Sequence, residues 1–373
     1  TRYIGDWSSD VCSSDLTLDL GAVAANTRVL ARRASGELMA VVKADGFGHG
    51  AVAVARVALD NGATRLGVTS IAEALELRAA GLHAPVLSWL NPVDADFAAA
   101  HAADVAIAVP GLAHLEAVVS SAPGAEVHLH LDTGMARDGA SPQEWALLCA
   151  AARRAERRGL VRVTGLMGHL PCGESPDSAS SREGRARFAW GFGVARSRGL
   201  RPRHRHLATT AATLADPASH HTVVRVGAGL VGIDPTGSGL LRSGVHLAAP
   251  LVTVRRVGAG TGVGYGHSWT APRATVLGLL PLGYADGLPR AASSRARVGV
   301  GGRRCDVVGR ISMDMSVIDL GPDAVEREGA SVDVIGGSGP SVAEWAAWSE
   351  QLEHEVLTGF GPRVQRRTLG VVR

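Results

Sequence analysis

The chain has 373 residues, of which 46% are hydrophobic and 20% are charged. This length exceeds one ordinary domain and accommodates either two domains or one large barrel with an appendage. The net charge is +3, from 38 basic and 35 acidic residues, so the composition shows no footprint of a nucleic-acid-binding protein.

Residues 1–15 form a polar segment that is rich in serine and aspartate. The segment lacks the apolar core of a signal peptide, and we interpret it as an extraneous leader that takes no part in the fold. No apolar run of the sequence reaches the roughly 20 residues that span a bilayer. The four cysteines form no CxxC pair, which argues against a structural zinc site and predicts a reduced, cytoplasmic chain.

Residues 16–239 alternate short apolar runs with alanine-rich helical stretches. A helical pattern comes first, from Leu16, and further helical stretches lie near 51–61, 70–81, 93–101, 111–121, 141–158, 181–198 and 209–216. The apolar runs that we predict as strands are 38–42, 66–69, 85–89, 104–109, 126–131, 161–168, 205–208 and 222–226. Eight such strands predict a closed (β/α)8 barrel of the TIM type, with an open doubly wound sheet as the alternative.

The character of the sequence changes in residues 240–373. Valine-rich segments there are separated by glycine-containing turns, and they lie at 252–257, 274–280, 296–300, 306–311, 315–320 and 331–335. This pattern predicts an antiparallel β domain, closed by a helix over 341–352 and a basic tail. The predicted fold is therefore of the α/β class, with an N-terminal barrel followed by a C-terminal antiparallel β domain.

Candidate functional residues occur where the barrel strands end, because the sites of such barrels lie at the C-terminal ends of the strands. Strand ends seven and eight usually form the phosphate site. The residues at these ends are Lys43, Arg137, His169, Thr209, Thr210, Arg225, Gly227 and Ala228. A lysine, two arginines, a histidine and a hydroxyl pair are thus predicted to meet at one rim.

Lys43 is the first candidate for chemistry, since it ends an apolar strand and precedes a turn that three glycines make flexible. A desolvated lysine has a lowered pKa and can form a Schiff base or carry a proton. Beside a phosphate pocket it indicates pyridoxal 5′-phosphate (PLP) as the cofactor. The alternative is a lysine that merely extends to solvent.

Two tyrosines are candidates for a second acid or base. Tyr265 lies between two glycines, and Tyr284 lies in the segment Gly-Tyr-Ala-Asp-Gly. Packing against immediate neighbours explains an aromatic residue poorly at such positions, whereas a phenol of altered acidity could move a proton. An aromatic residue that only completes a turn is the alternative.

From about residue 15 to its end, the chain resembles the alanine racemases. Residues 40–50 are similar to the PLP-attachment signature of that family, and 130–137 resemble its Asp-Thr-Gly-Met-x-Arg motif. Further similar motifs, in the same order, lie at 165–169, 224–227, 264–266, 281–287, 309–314 and 355–358.

The resemblance implies a PLP-dependent isomerase of fold type III that interconverts L- and D-alanine and supplies D-alanine for peptidoglycan. It implies a head-to-tail homodimer with shared active sites in which no metal takes part. Lys43 would carry PLP and serve the face of the D-enantiomer, and Tyr265 of the partner subunit would serve the other face. The remaining implied roles are cofactor binding by His169, Thr210, Arg225, Gly227, Ala228 and His354, substrate binding by Arg137 and Met313, and lining of the entrance by Tyr284 and Asp314.

Several positions depart from the family's pattern. Phe47 and His354 replace tyrosines that contact the phosphate or the entrance, and Val231 replaces another tyrosine. The pair Thr209–Thr210 replaces an asparagine–serine pair and keeps one hydroxyl. These changes leave both bases in place and bear on cofactor affinity and substrate preference.

His130 replaces a lysine, often carbamylated, that supports the substrate-binding arginine. We therefore expect Arg137 to find another partner, such as Asp132 or an anion. The altered rim leaves a broad-specificity or serine-preferring racemase as an alternative. A related decarboxylase or D-threonine aldolase is disfavoured by Tyr265 and Arg225, and a PLP-binding protein with little catalysis is disfavoured by the C-terminal domain.

Overall fold

The structure is a computed structural model and describes residues 14–370. Residues 1–13 of the predicted leader lie outside the described residues. The described residues form two compact units: one contains Leu20–Ser243, and the other combines residues 14–19 with Gly244–Gly370. We expected a barrel over 16–239 and a boundary near 237–243. In the structure the first unit ends at Ser243, and the first strand belongs to the second unit.

The first described element is strand β1 (Asp15–Asp19), where we predicted a helix from Leu16. Leu16 and Leu18 are buried and alternate with more exposed neighbours, which is the two-residue period of a strand. Helix α1 (Leu20–Arg33) begins only after this strand, and its buried residues include Leu20, Val23, Thr27 and Leu30.

Eight parallel strands form the sheet of the first unit, as predicted. They are β2 (Glu37–Val41), β3 (Arg65–Val68), β4 (Val86–Ser88), β5 (Val105–Val109), β6 (Ala125–His130), β7 (Val161–Met167), β8 (His204–His206) and β9 (Val223–Val226). Their order in the sheet is β8-β7-β6-β5-β4-β3-β2-β9. All the ladders between neighbouring strands in this order are parallel.

Backbone hydrogen bonds join the two strands at the ends of this order. The N–H of Thr222 donates to the carbonyl oxygen of Arg205 at 3.2 Å, and the N–H of Arg225 donates to that of Ala208 at 3.0 Å. The sheet is therefore closed into a barrel, and the open doubly wound alternative is wrong.

Helices connect the barrel strands and cover the sheet from outside. They are α2 (Ala51–Asp60), α3 (Ile71–Ala79), α4 (Phe97–Ala102), α5 (Leu112–Ser121), α6 (Pro142–Arg157), α7 (Ala179–Ser197) and α8 (Thr210–Ala215). Ser70, Ser141 and Ser178 cap α3, α6 and α7 by accepting a backbone hydrogen bond, which satisfies an amide that the first turn leaves unpaired. A large core between helices and sheet includes the fully buried Trp145 and Phe188.

A second, smaller apolar cluster contains residues of five barrel strands: Met39, Leu87, Ala108, Met167 and Val223. Inward-pointing side chains of a barrel alternate with those that face the helices. This cluster therefore fills part of the barrel interior, and polar side chains described below occupy another part.

The second unit contains a nine-stranded sheet with the order β11-β14-β17-β16-β15-β18-β10-β1-β19. Its strands after β1 are β10 (Val245–Pro250), β11 (Thr253–Val257), β14 (Thr275–Leu280), β15 (Arg297–Val300), β16 (Arg303–Val308), β17 (Ser316–Gly321), β18 (Ser331–Ile335) and β19 (Gln365–Leu369). A separate small hairpin pairs β12 (Gly262–Val263) with β13 (Trp269–Thr270). The sheet is antiparallel as predicted, except that β1 and β19 are parallel.

The predicted single helix over 341–352 is two helices, α9 (Val342–Ser349) and α10 (Glu353–Thr358). Glu350, between them, has a left-handed backbone conformation with φ 58°, which ends the first helix. None of the helices in residues 14–370 is long and apolar enough to cross a membrane.

Candidate active site

Lys43 lies just after the C-terminal end of β2 and begins a turn whose residues have left-handed backbone angles. Residues 44–47 all have left-handed backbone angles, with φ between 51° and 62°, although only one of them is glycine. Each non-glycine residue in this conformation costs roughly 1–2 kcal/mol. Hydrogen bonds hold the turn, from Gly46 N to Val42 O at 2.9 Å and from Ala51 N to Asp45 Oδ1 at 2.9 Å. The turn is thus a left-handed one that hydrogen bonds hold in this structure.

Glu73 supports this turn from the neighbouring strand–helix connection, and the sequence analysis did not identify it. One carboxylate oxygen accepts the N–H of Ala44 at 2.8 Å, and the other accepts the hydroxyl of Thr69 at 2.8 Å. These hydrogen bonds lower the pKa of Glu73, although burial opposes the shift. The signal was present in the sequence, because Ser70 and Glu73 form a capping box at the start of α3.

The amine of Lys43 lies in a positive, partly desolvated environment. Burial lowers its pKa, the charges of Arg137 and Arg225 lower it further, and Glu73 opposes the change. The sequence contains no other lysine, although it contains many arginines. An amine with a lowered pKa is more often neutral, which is the form that acts as a nucleophile or a base.

Arg225 lies on β9, next to β2, and is buried. Nη1 donates to the carbonyl oxygen of His206 at 2.8 Å and to its ring Nδ1 at 3.1 Å. Nη2 donates to the carbonyl oxygen of Gly168 at 2.8 Å and lies 3.4 Å from Nδ1 of His169. A guanidinium has five N–H groups, so these contacts account for the four on Nη1 and Nη2 and leave the Nε–H for a ligand. That arrangement fits a pyridine nitrogen, which is an acceptor only.

His169 lies near the positively charged side chains of the site. Burial lowers its pKa to about 3, and the neighbouring charges of Arg225, Arg137 and Lys43 act in the same direction. Its backbone is fixed by Thr133, whose hydroxyl donates to the carbonyl oxygen of His169 at 2.6 Å and accepts its N–H at 3.0 Å. The ring is therefore neutral at pH 7, and its Nδ1 lies beside the arginine.

The predicted phosphate site lies where β8 and β9 end. The hydroxyl oxygen of Thr210 accepts the N–H of Gly227 at 3.3 Å and that of Gly229 at 3.2 Å. The ring of Phe47 packs against Gly227, so the left-handed turn also reaches this site. Ala228 begins a short 3₁₀ helix there. The hydroxyl of Thr210 keeps its own O–H as a donor, and the amides that now donate to Thr210 could bind a phosphate group only by leaving that oxygen.

Arg137 lies in an exposed loop after β6, and its side chain makes no hydrogen bond or ion pair within residues 14–370. Asp132 is not its partner, because Oδ1 of Asp132 accepts the backbone N–H groups of residues 134–136. His130 instead contacts Asp138, with Nδ1 3.3 Å from Oδ2. Our suggestion of Asp132 as the partner was therefore wrong, and the guanidinium remains available for a carboxylate.

The other predicted site residues belong to the second unit. Tyr265, Tyr284 and Met313 have exposed side chains, 73% exposed for Tyr265. Tyr284 and Met313 lie on adjoining loops, since the N–H of Ala285 donates to the carbonyl oxygen of Met313 at 2.9 Å. Asp314 pairs with Arg363 at 2.7 Å, and the partly buried His354 lies on α10.

Comparison with known proteins agrees with this geometry. The family model for the alanine racemase N-terminal domain matches residues 18–235, and that for the alanine racemase C-terminal domain matches residues 245–368. The chain is 40% identical to the alanine racemase of Thermobifida fusca, over 96% of this chain and 99% of that protein.

Solved structures give the same result. The crystal structure of alanine racemase from Streptomyces lavendulae superposes with a TM-score of 0.94 at 37% identity, covering 98% of this chain and 99% of that chain. That of the Bartonella henselae enzyme, which contains covalently bound pyridoxal phosphate, superposes with a TM-score of 0.87 at 26% identity, covering 96% of this chain and 99% of that chain.

Proposed function

Because this chain belongs to the alanine racemase family, and so to the isomerases, we propose that it interconverts L-alanine and D-alanine with PLP as its cofactor. The observation that carries the proposal is the single lysine of the sequence, Lys43, which lies at a barrel strand end near Arg225, while Thr210 and Gly227 follow strands β8 and β9 at the same end of the barrel. PLP, when bound, withdraws electrons from the amino acid's Cα–H bond and makes that proton removable.

Lys43 has two roles in this proposal. Its amine would hold the cofactor, and it would move the α-proton on the face of the D-enantiomer. Burial and the neighbouring arginines lower its pKa, so the amine can act as a base near neutral pH.

The cofactor is oriented by groups at both of its ends. The Nε–H of Arg225 would donate to the pyridine nitrogen, and a guanidinium does not readily yield that proton. His169 would orient the ring. Thr210, Gly227 and Ala228 would bind the phosphate, and His354 would supply a further donor.

The substrate carboxylate is held by Arg137 together with the backbone of Met313. The absence of a side-chain partner for Arg137 within residues 14–370 supports this assignment. Tyr284 and Asp314 line the entrance to the site.

The second base is Tyr265 of the partner subunit, in a head-to-tail homodimer with shared active sites. A single fixed base tends to return the proton that it removed, so racemisation is best served by one base on each face. The exposure of Tyr265 in one chain supports this role, because a residue donated to another subunit must leave its own. We place the enzyme in the cytoplasm, where it supplies D-alanine for peptidoglycan.

Because the sequence contains a single lysine, a label on a lysine side chain can lie only at position 43. The purified chain is reduced with sodium borohydride in the presence of PLP and digested, and the peptides are mapped by mass spectrometry. We expect the pyridoxyl group on Lys43, no label there in Lys43→Arg, and L- to D-alanine conversion in the unmodified chain only. Label confined to the N-terminal amine would contradict the cofactor assignment.

The same preparation tests the alternative of a broad-specificity or serine-preferring racemase. The loop that carries Arg137 is held by the His130–Asp138 contact in place of the family's usual lysine, which motivates a comparison of substrates. We expect kcat/KM to be highest for alanine among alanine, serine and lysine. A higher value for serine would replace alanine as the assigned substrate.

A further inference from the structure

A line of buried polar side chains crosses the barrel interior and is not explained by contact with the cofactor or the substrate. It begins at Arg225 on β9, continues through His206 on β8 and His128 on β6, and ends at Glu126 on β6. Arg225, His206 and His128 are almost completely buried. Burying a polar group costs free energy unless the group is hydrogen-bonded. We therefore expect this line of buried side chains to have a specific role.

The directions of the two side-chain hydrogen bonds in this line, from Arg225 to His206 and between His206 and His128, follow from the arginine at one end. Arg225 can only donate, so Nδ1 of His206, 3.1 Å from Nη1, must be an acceptor without a proton. The proton of a neutral His206 is then on Nε2, which lies 2.8 Å from Nδ1 of His128. His128 must accept there, so its own proton is on Nε2, which faces Oε1 of Glu126 across 3.8 Å, an electrostatic contact that is longer than a hydrogen bond. A carboxylate that only accepts ends the line.

The electrostatics agree with this assignment. Burial lowers the pKa of His206 and of His128, so both rings are neutral at pH 7. The contact with His128 is the largest cause that lowers the pKa of Glu126 to about 2, so its carboxyl is ionised. Thr164 also donates its hydroxyl to Glu126 at 2.8 Å. Each group is therefore in the protonation state that the line requires.

The backbone makes room for this arrangement. A Cβ added to Gly165 on β7 would fall 2.3 Å from the ring of His128. The register of β6 against β7 shifts between Val127 and His128, next to this point. A β-bulge and a glycine at the same place indicate that the position of the ring is specified by the barrel.

We propose that His128 and Glu126 are positioning residues for Arg225, which they orient by fixing the tautomer of His206. With its proton held on Nε2, His206 offers Nδ1 as an acceptor to Nη1, and the guanidinium keeps its Nε–H directed at the cofactor. The wrong tautomer would place an N–H against Nη1 and turn the guanidinium away. The part that concerns the cofactor rests on the proposed function, whereas the tautomer does not.

The tautomer is tested in the full-length protein by NMR, with ¹⁵N-labelled histidine and assignment by a His206→Gln variant. We expect His206 and His128 each to show one protonated nitrogen, Nε2, between pH 7 and 8. A protonated Nδ1 on His206 overturns the proposal, whether or not the chain binds PLP or racemises alanine.

The consequence for the site is tested by three variants with the NMR readout and the Kd for PLP. His128→Leu removes the acceptor, and we expect loss of the Nε2 tautomer of His206 and at least a tenfold weaker Kd. His128→Asn, whose amide oxygen can replace Nδ1 as acceptor, should restore both to within about threefold. His204→Gln is the matched control: His204 stacks on His128 with ring centroids 5.8 Å apart but lies outside the line.

A merely structural role for His128 predicts a different result. In that case Leu, which fills space well, would leave the tautomer and the Kd unchanged, or Asn and Leu would weaken the Kd equally. Either outcome overturns the proposal. If His128→Leu fails to fold, Glu126→Gln and the His128→Asn variant still decide, because a carboxylate that plays no part leaves the NMR signals of both rings unchanged.

Discussion

The ring of Phe47 lies against Gly227, since a Cβ added to Gly227 would fall 2.7 Å from two of its ring carbons. One residue comes from the left-handed turn after β2 and the other from the end of β9, where we assign phosphate binding. The turn therefore brings position 47 to the phosphate site, at the place for which the family resemblance implied a tyrosine.

Phe47→Tyr should tighten the binding of PLP roughly tenfold, because a hydrogen bond to a charged group contributes about 1.5 kcal/mol or more. The Kd is measured by absorbance titration. Phe192→Tyr, on α7 where the ring stacks with Arg205, is the matched control and should leave the Kd unchanged. Equal Kd values for Phe47→Tyr and the unmodified chain would show that the added hydroxyl does not reach the phosphate.

Tyr265→Phe should slow racemisation by about 10²- to 10⁴-fold, which is the usual contribution of a positioned acid or base. Because Lys43 remains, D-alanine should still exchange its α-hydrogen for deuterium in D₂O, while conversion between enantiomers becomes much slower than this exchange. The exposed side chain predicts an unchanged Tm and retained PLP. Racemisation at the unmodified rate would eliminate Tyr265 as the second base.

Arg137→Lys should raise the KM for alanine roughly tenfold and change kcat less, because lysine cannot hold a carboxylate by two parallel hydrogen bonds. Steady-state kinetics at saturating PLP measure both constants. Arg154→Lys, at an exposed position of α6, is the control. A KM that stays within twofold of the unmodified value would remove Arg137 from substrate binding.

Acid should destabilise the barrel over a defined range of pH. Burial lowers the pKa values of His128, His169, His204 and His206 below the ordinary 6.5, to about 4 for His204 and about 3 for His169. The unfolded chain therefore binds more protons as the pH falls, and the free energy of unfolding decreases by about 1.4 kcal/mol per pH unit for each such proton. Stability is complete above about pH 6.5 and falls toward pH 4.

Urea denaturation at pH 8, 6 and 5 measures this dependence. His204→Gln should reduce the slope by about one proton, while its stability at pH 8 serves as the reference because histidines are then neutral in both states. Glu126, with a pKa lowered to about 2, contributes only as the pH falls from about 4.5 toward 2. A free energy of unfolding that is constant from pH 8 to 5 would contradict the neutral burial of these rings.

The barrel could be predicted from the sequence because its strands are buried on both faces and appear as short apolar runs. Strand β19 could not, since Gln365–Leu369 has no apolar alternation and is exposed along its whole length. It forms because its backbone pairs with β1, a partner about 350 residues earlier in the sequence. Position at strand ends likewise predicted Lys43 and Arg225, whereas the roles of His128 and His206 depend on which barrel residues face inward together.

The left-handed conformation of residues 44–47 could not be predicted from the sequence either. Its residues 44–47 include three that disfavour this conformation, so local preference pointed elsewhere. Glu73 and the backbone of Val42 impose the turn from outside. Residues are often held in unfavourable backbone conformations near functional sites, where contacts with the surrounding structure compensate for the strain.

The barrel closes at the place where the cofactor is proposed to bind. The β8–β9 junction has short strands and few backbone hydrogen bonds, next to Thr210 and Gly227. The amides of this junction should therefore exchange with deuterated solvent sooner than those of the β6–β7 ladder, through local opening. Bound PLP would contact residues on both sides of this junction. Its binding should therefore slow the exchange of these amides. The barrel's resistance to proteolysis should increase as the ratio of ligand concentration to Kd rises.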